Sequence, residues 1–163
     1  MDRILFCNKN QLSLIQKLAH DIWPQVYDYM ISASQIEFML NKMYSMESLE
    51  IQWQEGHQFL LLESENQFLG FASFQTTTSG NAKLHKLYLK KQSHGKGWGK
   101  KLLVFIENQC RNQQQTSIQL NVNRNNKSLN FYLANGFQIQ ESIDIPIGDG
   151  FEMNDFIMQK SIL

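Results

Sequence analysis

Charge of one sign is the first thing this chain of 163 residues lacks: fifteen Lys and Arg balance fifteen Asp and Glu. Without a basic field it has no means of holding a nucleic-acid backbone through many phosphate contacts, although local amides and one or two lysines can still bind a single phosphate group. Cysteine is scarce too. Cys7 and Cys110 stand far apart and belong to no CxxC or Cys/His ligand pattern, so two buried, reduced thiols are expected. The four histidines (His20, His57, His85, His94) form no HExxH or HxH pair, and a metal site is unsupported. There are only two prolines, Pro24 and Pro146, with no repeat and no low-complexity linker, so one domain over residues 1–163 is expected. No apolar run reaches membrane-spanning length, and the opening MDRILFCNKNQ lacks the apolar core of a secretory leader, making the cytoplasm the expected compartment.

What remains is an ordinary globular composition, 42% hydrophobic and 18% charged, in a chain long enough to bury one real core. Residues 3–8 read as a short edge strand. Leu12, Ile15, Leu18, Ala19 and Ile22 recur at helical spacing over 11–23, and Pro24 is placed where such a helix ends or kinks. Ser34 and Glu37 fit a capping box ahead of the stripe Ile36, Met39, Leu40 and Met43, and a further helix is expected over 46–53. The texture then changes to apolar and aromatic runs at 58–63 and 67–74, an antiparallel hairpin about Ser64, Glu65 and Asn66. Further strands are expected at 82–89, at 118–122 by strict alternation, and at 137–141 and 155–160. Helices are expected over 100–112 and 128–135, the second stopped at Gly136. The order is mixed α/β.

Residues 87–103, LYLKKQSHGKGWGKKLL, are the most informative stretch. A strand runs into alternating glycines and these run directly into an amphipathic helix. Glycine lets the backbone turn and lets amides approach a ligand unobstructed, and the first N–H groups of the helix are unpaired at the positive end of its dipole. That combination cradles a pyrophosphate without net positive charge. The spacing excludes two commoner cradles. Lys100 is followed by Lys101 rather than the Ser or Thr of a Walker loop, and glycines at 95, 97 and 99 give GxGxG instead of the dinucleotide GxGxxG.

HGKGWGKKLL resembles motif A of the GNAT superfamily of N-acetyltransferases, Q/R-x-x-G-x-G/A, with Gly97 and Gly99 on the two small positions and His94 in place of Gln or Arg. Residues 123–137, NRNNKSLNFYLANGF, resemble its motif B, N-x-x-(A/S)-x-x-F-Y-x-x-x-G-F, with Asn125 and Ser128 in register. Both motifs occur in the family's order with a strand between them, and the likeness runs over residues 57–160. The helical front, with QIEFML at 35–40, looks most like the bacterial branch that includes PaiA-type polyamine acetyltransferases.

The resemblance implies an α/β GNAT fold, a central, mixed but mostly antiparallel twisted sheet flanked by helices. It also implies an acetyl-CoA-dependent enzyme that acetylates a primary amine, a small amine or polyamine favoured and a peptide amine open, by direct attack in a ternary complex. Leu87, Tyr88 and Leu89 would meet the pantetheine arm through their backbone, the Leu89 amide polarising the thioester carbonyl. His94, Gly95, Lys96, Gly97, Trp98, Gly99 and Lys100 would surround the pyrophosphate, with Trp98 equally explained by packing. Asn125 and Ser128 would reach CoA from the second motif. Tyr132 matches the family's acid for the departing thiolate, its alternative being a core aromatic.

His85 is the candidate base, because imidazole suits proton removal near neutral pH; it stands near the place where many relatives carry a glutamate and shares one strand face with Lys83 and Leu87. A water chain is the alternative. The acceptor pocket is expected from the front helices and the loops around 147–156; Asp21, Asp28, Glu47, Asp149, Glu152 and Asp155 are candidate acids for a polyamine, though they read more readily as solvated surface charges. No metal, nucleic acid or membrane partner is implied, and a homodimer, common in the family, is left open. A GNAT-like module that binds acyl-CoA without turnover is the competing reading.

Overall fold

The computed structural model describes all residues, Met1–Leu163. Seven strands and five α-helices follow in the order β1 (Arg3–Phe6), α1 (Leu12–Tyr27), α2 (Ala33–Tyr44), α3 (Met46–Gln54), β2 (Gln58–Ser64), β3 (Gln67–Gln75), β4 (Asn81–Leu89), α4 (Trp98–Asn112), β5 (Ser117–Asn123), α5 (Ser128–Ala134), β6 (Gln138–Gly148) and β7 (Phe151–Ser161). Backbone contacts group them into two compact units, Met1–Gln75 with Lys86–Ile106, and Thr76–His85 with Glu107–Leu163. β4 and α4 contribute to both. The mixed α/β order and the predominance of antiparallel pairing agree with the sequence expectation: β4 with β5 is the one pairing described as parallel. No helix is long and apolar enough to cross a membrane.

In the first unit β1, β2, β3 and the latter half of β4 lie in that order. Glu65 and Asn66 both have positive φ, 50° and 61°, the two-residue turn whose twist suits an antiparallel hairpin. Phe59, Leu60, Leu61 and Leu62 are all buried, so β2 is covered on both faces; each such side chain contributes about 2 kcal/mol of transfer free energy. α1 continues past Pro24 to Tyr27, contrary to the expected stop. Pro24 is exposed, while Ile22 and Trp23 before it are buried, so only a solvent-side hydrogen bond is lost and the apolar face carries the helix onward. The cap of α2 lies two residues earlier than Ser34: Ser32 Oγ accepts from the Gln35 amide at 3.1 Å, a bond worth about 1 kcal/mol.

Gly70 has a sharper reason to be glycine. A β-carbon there would collide with the Tyr88 carbonyl oxygen and stand 2.6 Å from Leu89 Cδ2. It lies beside the bulge at which the β2–β3 register shifts, and the neighbouring Leu69 carbonyl accepts from the Lys90 amide at 2.8 Å. β3 therefore closes directly onto the end of β4.

In the second unit the first half of β4, then β5, β7 and β6, lie in that order. The β4–β5 register runs from Asn81↔Ser117 to Leu84↔Leu120. β6 and β7 are eleven residues each, far longer than the strands expected at 137–141 and 155–160, and they join through Asp149 and Gly150, both at positive φ. The expected loop around 147–156 is therefore mostly strand. β6 is outermost, contains Pro146, and has irregular register near each end, between Ile139 and Glu141 and between Pro146 and Gly148. Cys7 in the first unit and Cys110 in the second are buried free thiols, each raised to about 11 chiefly by burial.

Candidate active site

The first unit supplies the end of β4, the loop after it and the start of α4. Leu89 is buried, Leu87 and Tyr88 half-buried. The Tyr88 side chain is turned into an aromatic cluster, its hydroxyl 2.9 Å from that of Tyr27 and its ring 5.5 Å from Trp23. Fixed on that side, the strand end keeps a set backbone course.

A single 3-10 turn, Lys91–Ser93, leads to His94, whose Nε2 lies 2.9 Å from the Leu89 carbonyl oxygen. The residue that departs from the family pattern thus ties the loop back to the strand. Gly95 and Gly97 have φ of +75° and +80°, and a β-carbon at either would meet nothing within 4 Å. Backbone conformation, not space, selects glycine here. Lys96, Gly97 and Lys100 are exposed, and Gly99 and Trp98 are half-exposed, with Lys101 Nζ 4.4 Å above the Trp98 ring. The Lys101 amide bonds the Gly97 carbonyl at 3.1 Å, opening the helical ladder, so the amides before it have no partner within the helix. Open glycine backbone at a helix start is suited to an anion.

The second unit holds the remaining candidates. Asn125 is exposed, and its amide donates to Asn123 Oδ1 at 2.9 Å; Asn126 Oδ1 accepts from the Ser128 amide at 2.8 Å at the start of α5. Tyr132 is buried, 8% exposed, with its ring 5.2 Å from Phe131 and 5.6 Å from Phe137. Gly136, at φ +91°, ends the segment as expected. His85 is half-buried on β4, on the face it shares with Lys83.

Three charged groups are more deeply buried than a charged letter in the sequence implies. Lys83 Nζ donates to Asn121 Oδ1 at 2.6 Å, and burial lowers its proton affinity against the opposing pull of Asp155. Asp155, read as a surface acid, is 1% exposed, and burial raises it despite Asn121, Arg124 and Lys83 nearby. Lys86, in the first unit, is 4% exposed; it donates to Gln52 Oε1 at 2.7 Å and sits 5.5 Å from the Tyr44 ring centre and 5.9 Å from that of Phe59. Burial draws it down from 10.5 to about 8. Period-two alternation on β4 places Lys86 on the Leu84 face, a signal available in the sequence. The burial of Asp155 depends on its pairing opposite Asn123, which local sequence does not announce.

Comparison with known proteins gives a consistent result. Residues 27–151 match the family described as acetyltransferase (GNAT) domain. A spermidine N(1)-acetyltransferase of Thermoplasma acidophilum is 29% identical, over 91% of this chain and 90% of that protein. The crystal structure of the PaiA N-acetyltransferase from Thermoplasma acidophilum in complex with coenzyme A superposes with a TM-score of 0.83 at 27% identity, covering 99% of each chain. The ribosomal-protein-S18-alanine N-acetyltransferase of Escherichia coli, at 17% identity, shares the fold with a TM-score of 0.76 over 99% of this chain and 94% of that one.

Proposed function

The chain belongs to the GNAT acetyltransferase family, and on that premise we propose that it moves the acetyl group of acetyl-CoA to a primary amine, a small amine or polyamine favoured, by direct attack in a ternary complex. The observation that carries this reading is the run from β4 through two positive-φ glycines into the start of α4. That backbone offers several amides to a pyrophosphate with no demand for net charge. The PaiA relative is a coenzyme A complex, which supports the same ligand here, and the spermidine acetyltransferase supports a polyamine acceptor.

In this reading Gly95, Lys96, Gly97, Trp98, Gly99 and Lys100 surround the pyrophosphate, with His94 bracing the loop. The pantetheine arm runs back along Leu89, Tyr88 and Leu87, and Asn125 and Ser128 contact CoA from the second motif. The acceptor ammonium loses a proton toward the His85 face of β4, and its nitrogen then attacks the thioester carbonyl. The tetrahedral oxyanion is met by backbone N–H, and Tyr132 gives a proton to the departing thiolate.

A thiol-release assay with acetyl-CoA and a panel of amines, run on the wild type, Tyr132→Phe and His85→Ala, tests the reading. Turnover of spermidine that falls in both variants supports it. A fall in Tyr132→Phe alone removes His85 as base. Acetyl-CoA binding by calorimetry without turnover of any amine favours a binding module.

A further inference from the structure

In the reading above the acceptor ammonium loses its proton toward the His85 face of β4. That face carries more than His85. Lys83 precedes it by two residues, ~7 Å along an extended strand. Register places Lys83 beside Gln119, and Asp155 beside Asn123, so Lys83, Asn121 and Asp155 come from three successive strands of the second unit onto one face.

They form a connected row. Lys83 Nζ donates to Asn121 Oδ1 at 2.6 Å, and Asn121 stands close enough to Asp155 to offset part of the effect of burial on its carboxyl. Asp155 is 1% exposed, and its Oδ1 is buried with no hydrogen-bond partner. A carboxylate sealed in this way is costly unless a cation stands close by. Lys83 is half-buried where Asp155 is fully buried.

We propose that Lys83 is a second proton-accepting residue of the acetyl-transfer site, with Asn121 and Asp155 as the positioning residues that hold it. This rests on the acetyl-transfer reading. In the step, an N–H bond of the acceptor ammonium breaks, its proton bonds to the neutral Lys83 amine, and the freed electron pair attacks the thioester carbonyl. The C–S bond then breaks, the thiolate takes the Tyr132 proton, and the nitrogen's second proton passes through solvent to restore Tyr132. Lys83 then returns the proton to solvent. Burial draws Lys83 toward its neutral form, and the Asp155 carboxylate opposes this. The other charged groups about the row are His85 on the same strand, Arg124 after β5, tied to Asp144 of β6, and Glu141 of β6 opposite Ile157. β5 supplies Ser117, Gln119, Asn121 and Asn123 to this face, none of them titratable, and the sequence of β3 contains no titratable side chain.

Two measurements decide the matter. In the full chain carrying isotope-labelled lysine, the Lys83 resonance, identified by its loss in Lys83→Arg, should titrate below the exposed lysines by NMR. It should move lower still in Asp155→Asn, because removing the carboxylate withdraws support for the ammonium. In the thiol-release assay, Lys83→Met and Lys83→Arg should both lower kcat by about 100-fold at neutral pH with the KM for acetyl-CoA little changed; arginine keeps the charge but does not release its proton. Titration of Lys83 together with the exposed lysines overturns the proposal, as does Lys83→Arg with kcat within roughly threefold of wild type. A wild type that turns over no amine would instead sink the acetyl-transfer reading, and the titration arm would then judge Lys83 alone.

Discussion

Replacing Lys86 with methionine should make the protein more stable at neutral pH, although it removes a hydrogen bond. Lys86 is almost wholly buried, and its one described hydrogen bond is to a neutral amide, Gln52 Oε1. Drawing its titration from 10.5 to about 8 means that the native fold disfavours the ammonium by about 3 kcal/mol relative to the unfolded chain. Methionine fills nearly the same space without a charge. Against that gain stand the lost attraction to the Tyr44 and Phe59 rings and an amide oxygen left unpaired, together about 1–2 kcal/mol. A net gain of about 1–2 kcal/mol at pH 7 is the expected result. The pH dependence is the stricter test. Between pH 8 and 10.5 the unfolded chain still binds the proton that native Lys86 has released, so wild-type stability rises with pH across that window. Lys86→Met lacks this rise, and its advantage should shrink and reverse by pH 10. Urea unfolding of both proteins at pH 7, 8, 9 and 10 measures the difference directly. A variant less stable at pH 7, or a difference constant with pH, would refute the reasoning.

Two further expectations follow from the first unit. His57, drawn from 6.5 to about 4 by burial and then by Lys86, stays neutral in the native protein while the unfolded chain protonates below pH 6.5. Stability should therefore fall as pH drops from 6.5 toward 4, and His57→Gln should flatten that fall in thermal melts at pH 4.5 and 6.5. Gly70→Ala forces a β-carbon against the Tyr88 carbonyl and Leu89, and should destabilise by about 1–3 kcal/mol. Because the displaced backbone is the proposed pantetheine track, the KM for acetyl-CoA should rise as well; an unchanged KM in the folded variant would separate Gly70 from ligand binding.

The legible parts of this chain were those whose signals are local. GKGWG at 95–99 and NFYLANGF at 130–137 state their turn and cap requirements within a few residues, and the observed φ values at Gly95, Gly97 and Gly136 meet them. Pro24 misled because proline chemistry is local but its tolerance is not: the buried Ile22 and Trp23 face decides whether the helix continues. The last two strands run past their expected ends, where Ile143, Ile145 and Ile147 alternate and Asp149-Gly150 is a hairpin signal. Lys83, Lys86 and Asp155 take their character from partners 34 to 72 positions away, Gln52 for the second and Asp155 for the first. A charged letter in the sequence does not tell which strand will cover it.

The outer strand β6 has a bearing on how the molecule behaves at high concentration. A regular outer strand is a template on which another chain can add by main-chain pairing. Here Pro146 removes one donor, and the irregularities near both ends of β6 put the remaining N–H and C=O groups out of even step. The free margin of the second unit is thereby poorly matched to a straight incoming strand. Copies of this enzyme that meet along β6 should slide off one another rather than seed a growing ribbon, and any lasting association must use side-chain surfaces.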